Sequence, residues 1–142
     1  MNIQVVYGAP SADDYVSLRL RSGMGNKDLK RSEIALKNSL FIVALYDEEK
    51  LIGFGRVVGD GGITYVVSDI MVDKDYQRRG LAEQVMKAID GYFEENTYED
   101  SYICLIANHP ADILYNKHKF EYLPENKYGM LRNQNNDNKK IK

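Results

Sequence analysis

One short segment combines basic side chains, small residues and the start of an amphipathic stretch. It reads Val72-Asp73-Lys74-Asp75-Tyr76-Gln77-Arg78-Arg79-Gly80-Leu81-Ala82. If a strand ends before it and a helix begins at Gly80, the first backbone N–H groups of that helix have no partners within the helix. Together with the helix dipole they form a site that suits phosphate. Gly80 and Ala82 are small enough to let a pyrophosphate approach the backbone, and Lys74 and the two arginines add positive charge nearby.

The same residues also fit an ordinary connection between a strand and a helix, with two arginines on the surface. The segment is not a P-loop, because no Gly-Lys-Ser/Thr follows it. It is not the Rossmann fingerprint either, which needs three glycines after a parallel strand. From these residues alone, a phosphate site and a plain surface loop both stay open.

The elements that would position this segment follow from the apolar pattern. Residues 40–46 form a continuous apolar run, which predicts a strand buried on both faces. Residues 51–58 and 63–72 follow after turn signals, so the centre of the chain is predicted to be an antiparallel meander. Residues 80–96 carry apolar side chains at helical spacing, which predicts an amphipathic helix directly after the basic segment.

The rest of the chain is predicted to add shorter elements. We expect strands at residues 3–7, 102–107, 121–123 and 128–132, and helices from Ser11 to the break at Gly23 and Gly25, at 29–38 and at 111–117. Ser11 is the predicted N-cap of the first helix, with acidic residues in the first turn where they suit the helix dipole. Residues 1–132 are expected to be a single domain, and residues 133–142 a flexible C-terminal tail with little to bury.

Composition excludes several classes of function. The 142 residues fit one compact domain, and 44% of them are hydrophobic, which is enough for an ordinary core. The net charge of −2 gives no reason to expect binding to nucleic acid or to an anionic membrane. The single cysteine, Cys104, lies in an apolar run and is interpreted as a core residue, so neither a disulfide nor a cysteine-rich metal site is expected. Without a signal-peptide pattern or a long apolar run, a cytoplasmic protein is expected.

The segment Gln77-Arg78-Arg79-Gly80-Leu81-Ala82 resembles the Gln/Arg-x-x-Gly-x-Gly/Ala signature of the GNAT N-acetyltransferases. Ser68-Asp69-Ile70-Met71-Val72 resembles the splayed fourth strand of that family, and residues 111–120 resemble its helix ending in Tyr-x-Lys-x-Gly-Phe. The order of elements over residues 40–132 is also similar. The resemblance implies an α/β (α+β) GNAT fold, with a central mixed, mostly antiparallel sheet of about six to seven strands, about four helices, and a splay between strands 4 and 5.

The resemblance also implies acetyl-CoA as a co-substrate, with no metal, and assigns roles to residues. In the family, the backbone of the splayed strand hydrogen-bonds the pantetheine arm, which here means Ile70, Met71 and Val72. The loop and helix start hold the pyrophosphate through backbone N–H groups, here those of Arg78, Arg79, Gly80, Leu81, Ala82 and Glu83. An asparagine after the fifth strand contacts the cofactor, and a tyrosine seven residues later protonates the leaving thiolate. Asn108 and Tyr115 have those positions.

The reaction explains why such groups are needed. An alkylamine is mostly protonated at pH 7, so a carboxylate or a chain of waters must remove a proton before it attacks. Asp69 is the candidate base, because a lone carboxylate in an apolar strand is costly without a partner; a structural carboxylate at the splay is the alternative, and Glu33 is a weaker candidate. Tyr115 as a plain core aromatic also stays open. His109 and His118 are interpreted as surface residues.

This sequence departs from the family pattern at two positions. Ala82 replaces the commoner second glycine, which the pattern tolerates. Lys119 stands where the family usually has a glycine before Phe120. If that residue ends the helix in a left-handed conformation, a side chain there costs roughly 1 kcal/mol.

The function expected from the resemblance is acetyl transfer to a primary amine of a small molecule, by direct attack in a ternary complex. Residues 53–61, with Ser68 and Asp69 downstream, resemble family members that act on arylalkylamines, polyamines or amine antibiotics. Two alternatives stay open, namely acetylation of a protein N-terminus or lysine, and a non-catalytic module that binds acyl-CoA. The resemblance further implies a homodimer.

Overall fold

The computed structural model describes residues 2–134. The elements are β1 (Ile3–Val6), α1 (Ala12–Ser22), α2 (Leu29–Lys37), β2 (Phe41–Asp47), β3 (Lys50–Gly59), β4 (Thr64–Val72), a 3₁₀ turn (Lys74–Tyr76), α3 (Leu81–Asn96), β5 (Tyr102–Cys104) and α4 (Asp112–Asn116). The predicted cap of α1 is confirmed, since the side chain of Ser11 accepts a hydrogen bond from the Asp14 N–H at 3.1 Å. Gly23 ends the helix with a φ of 86°.

The strands form one sheet in the order β1-β2-β3-β4-β5, with the first three pairs antiparallel and β4–β5 parallel. The predicted mixed, mostly antiparallel α/β fold with four helices is thus confirmed. The strand count is lower than expected, because the predictions of strands at residues 121–123 and 128–132 were wrong. Their large apolar side chains, such as Tyr122 and Met130, stay mostly exposed and bury too little area to hold a strand against β5.

The predicted splay between β4 and β5 is present. Only three residue pairs join these strands, from Thr64↔Tyr102 to Val66↔Cys104, whereas β4 continues to Val72. The pairing of β4 with β3 shifts register between Phe54 and Arg56, and Asp69 opposite that shift has a φ of 58°. Such a bulge bends a strand away from its neighbour. The last residues of β4 therefore present backbone groups that β5 does not pair.

Apolar side chains alternate along β2 and build a core on each face of the sheet. Val43 and Leu45 belong to the cluster that contains Val85, Met86 and Ile89 of α3. On the other face, a second cluster joins the sheet to α1 and α2, and it contains Tyr15, Leu18, Leu36, Ile42, Ala44, Phe54 and Met71. Helices on both faces hold β4 in place, and this fixes where its splayed end lies.

Candidate functional site

The basic segment forms the N-terminus of α3. Gly80 is the N-cap, and its φ of 78° is a conformation that glycine adopts without strain. The first helical hydrogen bond runs from the Gln84 N–H to the Gly80 carbonyl at 3.1 Å. The N–H groups of the three residues between them thus have no partner in the helix, and within the described residues no side chain caps this end. A Cβ added at Gly80 would meet nothing within 4 Å, so the backbone is open to a ligand.

Two contacts fix the loop that leads to α3. The Asp73 side chain accepts a hydrogen bond from the Asp75 N–H at 2.9 Å and one from Arg21 Nε at 2.7 Å. Burial raises the pKa of the Asp73 carboxyl, but these donors outweigh it, so that pKa lies below its usual range. Tyr76 donates to Asp47 Oδ2 at 2.6 Å, which raises the pKa of the Tyr76 phenol. The loop is therefore held against α1 and β2 before any ligand binds.

A cavity of about 440 Å³, which we call the splay cavity, lies between the end of β4, the start of α3 and α4. Its lining consists of Ile70, Val72, Tyr76, Gln77, Arg78, Gly80, Leu81, Ala82, Glu83, Ala111, Leu114, Tyr115 and Lys117. Most of the residues assigned to the cofactor from the sequence are therefore gathered around one space, together with Tyr115.

Three of the assigned residues lie outside that lining. The Met71 side chain is buried on the opposite face of the sheet, among the residues of α1, so only its backbone is available to a ligand. Arg79 lies with its guanidinium 5.2 Å from the centre of the Tyr76 ring. Asn108 is exposed in the loop after β5, where its carbonyl accepts from the Ala111 N–H at 2.7 Å.

Tyr115 is buried, and burial raises the pKa of its phenol. It lines both the splay cavity and a second cavity of about 700 Å³ between β5 and residues 119–129. A phenol with its ordinary pKa of about 10 is already protonated near neutral pH, so the Tyr115 hydroxyl carries a proton there, and burial strengthens that state. The position and the protonation state both suit the role implied for it.

After α4, Lys119 has a φ of 73°, which is the left-handed conformation that the sequence left open for it. The N–H of Phe120 bonds to the Tyr115 carbonyl at 3.2 Å, and the two rings lie 6.4 Å apart. This hydrogen bond and this apolar contact are those of a Schellman motif, in which a glycine usually has the left-handed position. Lys119 therefore has a backbone conformation that is costly for a residue with a side chain. The hydrogen bond and the ring contact of the motif hold Tyr115 beside Phe120.

Asp69 lies at the centre of a buried polar cluster. It accepts hydrogen bonds from Tyr15 Oη at 2.6 Å, Arg19 Nη1 at 2.9 Å and Arg56 Nε at 2.7 Å. Burial raises the pKa of the Asp69 carboxyl, but the Tyr15 hydrogen bond and the two guanidinium groups outweigh that effect, and the pKa lies below its usual range. A carboxylate held in this way is a weak base, so the geometry favours the structural alternative for Asp69. Glu33 is exposed on α2 and is absent from the lining of the splay cavity.

Sequence reasoning missed the three donors to Asp69 and the burial of His118. The lone carboxylate in a strand was itself the signal that cationic partners were needed, and Tyr15 and Arg19 are four residues apart on one helix face. The interpretation of His118 as a surface residue was wrong, because it is 7% exposed and packs against α3. His109 is exposed, as expected.

A family model described as an acetyltransferase (GNAT) domain matches residues 37–122. With the splayed strand and the uncapped helix start, this match shows that the chain belongs to the GNAT acetyltransferase family. Over 113 residues, the chain is 31% identical to a relative from Pyropia yezoensis, named as an uncharacterized N-acetyltransferase. That match covers 77% of this chain and 64% of the relative, so it spans less than two thirds of the relative's length.

Two solved structures share the whole architecture. One is a protein from Meticillin-resistant Staphylococcus aureus described as a probable acetyltransferase, with 39% identity and a TM-score of 0.88 over 93% of this chain and 99% of the other. The other is a GNAT family acetyltransferase from Streptococcus pneumoniae, with 27% identity and a TM-score of 0.77 over 94% of this chain and 99% of the other. Within residues 2–134, no helix has the length and apolar character needed to cross a membrane. The same residues contain no cluster of histidine, cysteine and acidic side chains suited to a metal ion.

Proposed function

We propose that the protein is an acetyl-CoA-dependent N-acetyltransferase that moves an acetyl group to a primary amine of a small molecule, by direct attack in a ternary complex. The observation that carries this proposal is the uncapped N-terminus of α3, which opens into the splay cavity beside the unpaired end of β4. The helix start suits an anion at one end of that cavity, and the unpaired end of β4 suits an extended chain that lies along it.

The residues present fit the cofactor. The N–H groups of Leu81, Ala82 and Glu83 are free for a pyrophosphate, and Gly80 leaves its approach open. The backbone of Ile70, Met71 and Val72 offers hydrogen bonds to a pantetheine arm. When bound, acetyl-CoA supplies an acetyl group activated as a thioester. Arg78 lines the cavity and adds positive charge to it. Asn108, in the loop after β5, is proposed to contact the cofactor.

The reaction needs two proton transfers, one to the departing sulfur and one from the amine substrate. Tyr115 is proposed to deliver the proton of its hydroxyl to the departing sulfur, and a backbone N–H of β4 to polarise the thioester carbonyl. The proton of the ammonium substrate must leave before attack. Because Asp69 is occupied by three donors, we propose that water removes this proton and that Asp69 instead holds the bulge that splays β4.

The class of acceptor is proposed from the resemblance of residues 53–61 and 68–69 to enzymes that act on small amines. A screen of thiol release from acetyl-CoA over a panel of amines tests it. Release that depends on a small amine is the expected result. Release that depends only on peptides would make the protein a protein acetyltransferase, and tight binding of acetyl-CoA without release under any condition would make it a binding module.

We further propose, from the family resemblance, that the protein is a homodimer. From the length, composition and charge of the chain, we also propose that residues 1–132 form one domain and that the protein works in the cytoplasm without nucleic-acid or membrane partners. Light scattering of the full chain tests the oligomeric state, with twice the chain mass of 16.3 kDa as the expected result. A mass of one chain would contradict the dimer and leave the reaction unaffected.

A further inference from the structure

His118 is a buried titratable residue that the proposed reaction does not use. It follows α4 and contacts two carboxylates of α3. Its Nδ1 is hydrogen-bonded to Asp90 Oδ2, and its Nε2 lies 2.7 Å from Glu83 Oε2. A neutral imidazole donates from only one nitrogen, whereas a protonated one donates from both. The contact with Glu83 lacks the alignment of a hydrogen bond and is an ion pair when His118 is a cation, so a protonated His118 pairs in charge with both carboxylates.

The contact between His118 and Glu83 affects the phosphate site, because Glu83 lies at the start of α3. It is the third residue of α3, and it lines the splay cavity. An acidic side chain in the first turn stabilises a helix, because it lies near the positive end of the dipole. A phosphate bound at the same helix end would use the same dipole and would be repelled by the carboxylate. The charge that favours the empty helix thus opposes the ligand.

We propose that His118 is a positioning residue for the anionic cofactor. In its protonated form it holds the Glu83 carboxylate against α4, away from the phosphate site, and cancels its charge. The affinity for coenzyme A is then greatest when His118 is protonated and falls as the pH rises. This inference rests on the cofactor site of the proposed function and adds a charge-neutralising residue to it.

Other charges around His118 do not replace this coupling. Asp90 contacts the imidazole but is absent from the lining of the splay cavity, so it anchors His118 without facing the ligand. A neighbouring cavity of about 570 Å³ brings further charged side chains near His118, namely Glu94 of α3, Glu99 of the following loop, and Lys117 and Lys119 on its own segment. Of the carboxylates named here, Glu83 alone lines the splay cavity, and therefore it links the protonation of His118 to the ligand.

The direction in which the affinity for coenzyme A changes with pH follows from the linkage between ligand binding and proton binding. An anionic ligand favours the protonated form of His118, so binding takes up a proton, and affinity is lost over the pH range in which the imidazole loses its proton. One uncompensated charge at a distance of several ångströms in a partly solvated site changes affinity by about threefold to tenfold.

The test is calorimetric titration of coenzyme A into the full chain at about pH 6 and about pH 8.5. Glu83→Gln keeps the backbone N–H assigned to the phosphate and removes only the side-chain charge, and His118→Gln keeps one neutral donor group and removes the charge. The ratio of affinities at the two pH values should be about threefold to tenfold larger in the wild type than in Glu83→Gln. The coenzyme's own titration is common to both proteins and cancels in this comparison.

The double variant separates charge coupling from packing. His118→Gln should weaken binding at low pH in the wild-type background and have no effect in the Glu83→Gln background. His109→Gln, at the exposed histidine, is the matched control and should leave the pH profile unchanged.

Equal pH ratios in the wild type and Glu83→Gln would overturn the proposal, as would an equal effect of His118→Gln in both backgrounds, which is the signature of a packing role. If His118→Gln does not fold, the comparison of pH ratios between the wild type and Glu83→Gln is sufficient to test the proposal. Failure of every protein to bind coenzyme A at either pH would refute the cofactor site of the proposed function, and this inference with it. Binding without a pH difference would refute only the coupling.

Discussion

Replacing Asp69 by asparagine separates its two candidate roles. The substitution keeps the shape of the side chain but removes the negative charge that faces Arg19 and Arg56, both of which lie within 3 Å of it. Removing one partner of a buried ion pair typically costs about 3–5 kcal/mol, because the remaining charge is left without compensation. Asparagine still accepts a hydrogen bond, so we expect a loss of stability near 3 kcal/mol, at the lower end of that range.

Urea unfolding at neutral pH measures this loss, as a lower midpoint with an unchanged m-value. Asp100→Asn, at an exposed aspartate, is the matched control and should shift the free energy of unfolding by no more than about 0.5 kcal/mol. If Asp69→Asn unfolds like the wild type but loses turnover, the base assignment would regain support and the structural role would be wrong.

The difference in free energy of unfolding between the wild type and Asp69→Asn should depend on pH in a defined direction. The pKa of the Asp69 carboxyl is below its usual range in the folded state, so its contribution to stability is fully present above the unfolded value of about 3.9. It is lost as the pH falls through the lower folded value. The stability gap between wild type and Asp69→Asn should therefore shrink in acid, and a gap that widens there would contradict the assigned charge state.

Two further changes test the other end of the site. Tyr115→Phe removes only a hydroxyl group and should lower kcat by at least about tenfold, with acetyl-CoA affinity within about threefold of wild type. Tyr98→Phe, at an exposed tyrosine, is the control. If Tyr115→Phe turns over at the wild-type rate while chemistry is rate-limiting, another group supplies the proton. Lys119→Gly should raise the free energy of unfolding by roughly 1 kcal/mol, because Lys119 has a φ of 73°; a lower midpoint in urea would show that the left-handed position is not strained.

Local chemistry was readable in the sequence. A glycine between a basic loop and an amphipathic stretch predicted the start of α3, and the place of Lys119 before Phe120 made a left-handed helix end one of the outcomes considered. Both predictions depend on neighbours within a few residues, where backbone sterics and helix capping decide the conformation. The same holds for Ser11 at the start of α1.

What the sequence did not predict depends on contacts between distant residues. Arg19 and Arg56 reach Asp69 from 50 and 13 residues away, and only the folded sheet brings them together. The two last strands were predicted from apolar residues around 121–132, but such a pattern does not say whether a partner strand is available. The burial of His118 depends likewise on α3, where its partner Asp90 is 28 residues away along the chain.

The central claim is that the N-terminus of α3 binds the phosphates of acetyl-CoA. Calorimetric titration of coenzyme A into Gly80→Asp and Gly80→Asn tests it most directly, because both side chains tolerate a left-handed backbone and they differ by one charge. We expect the folded aspartate variant to bind about tenfold more weakly than the asparagine variant, and both more weakly than the wild type. Wild-type affinity in a folded Gly80→Asp protein would contradict the site.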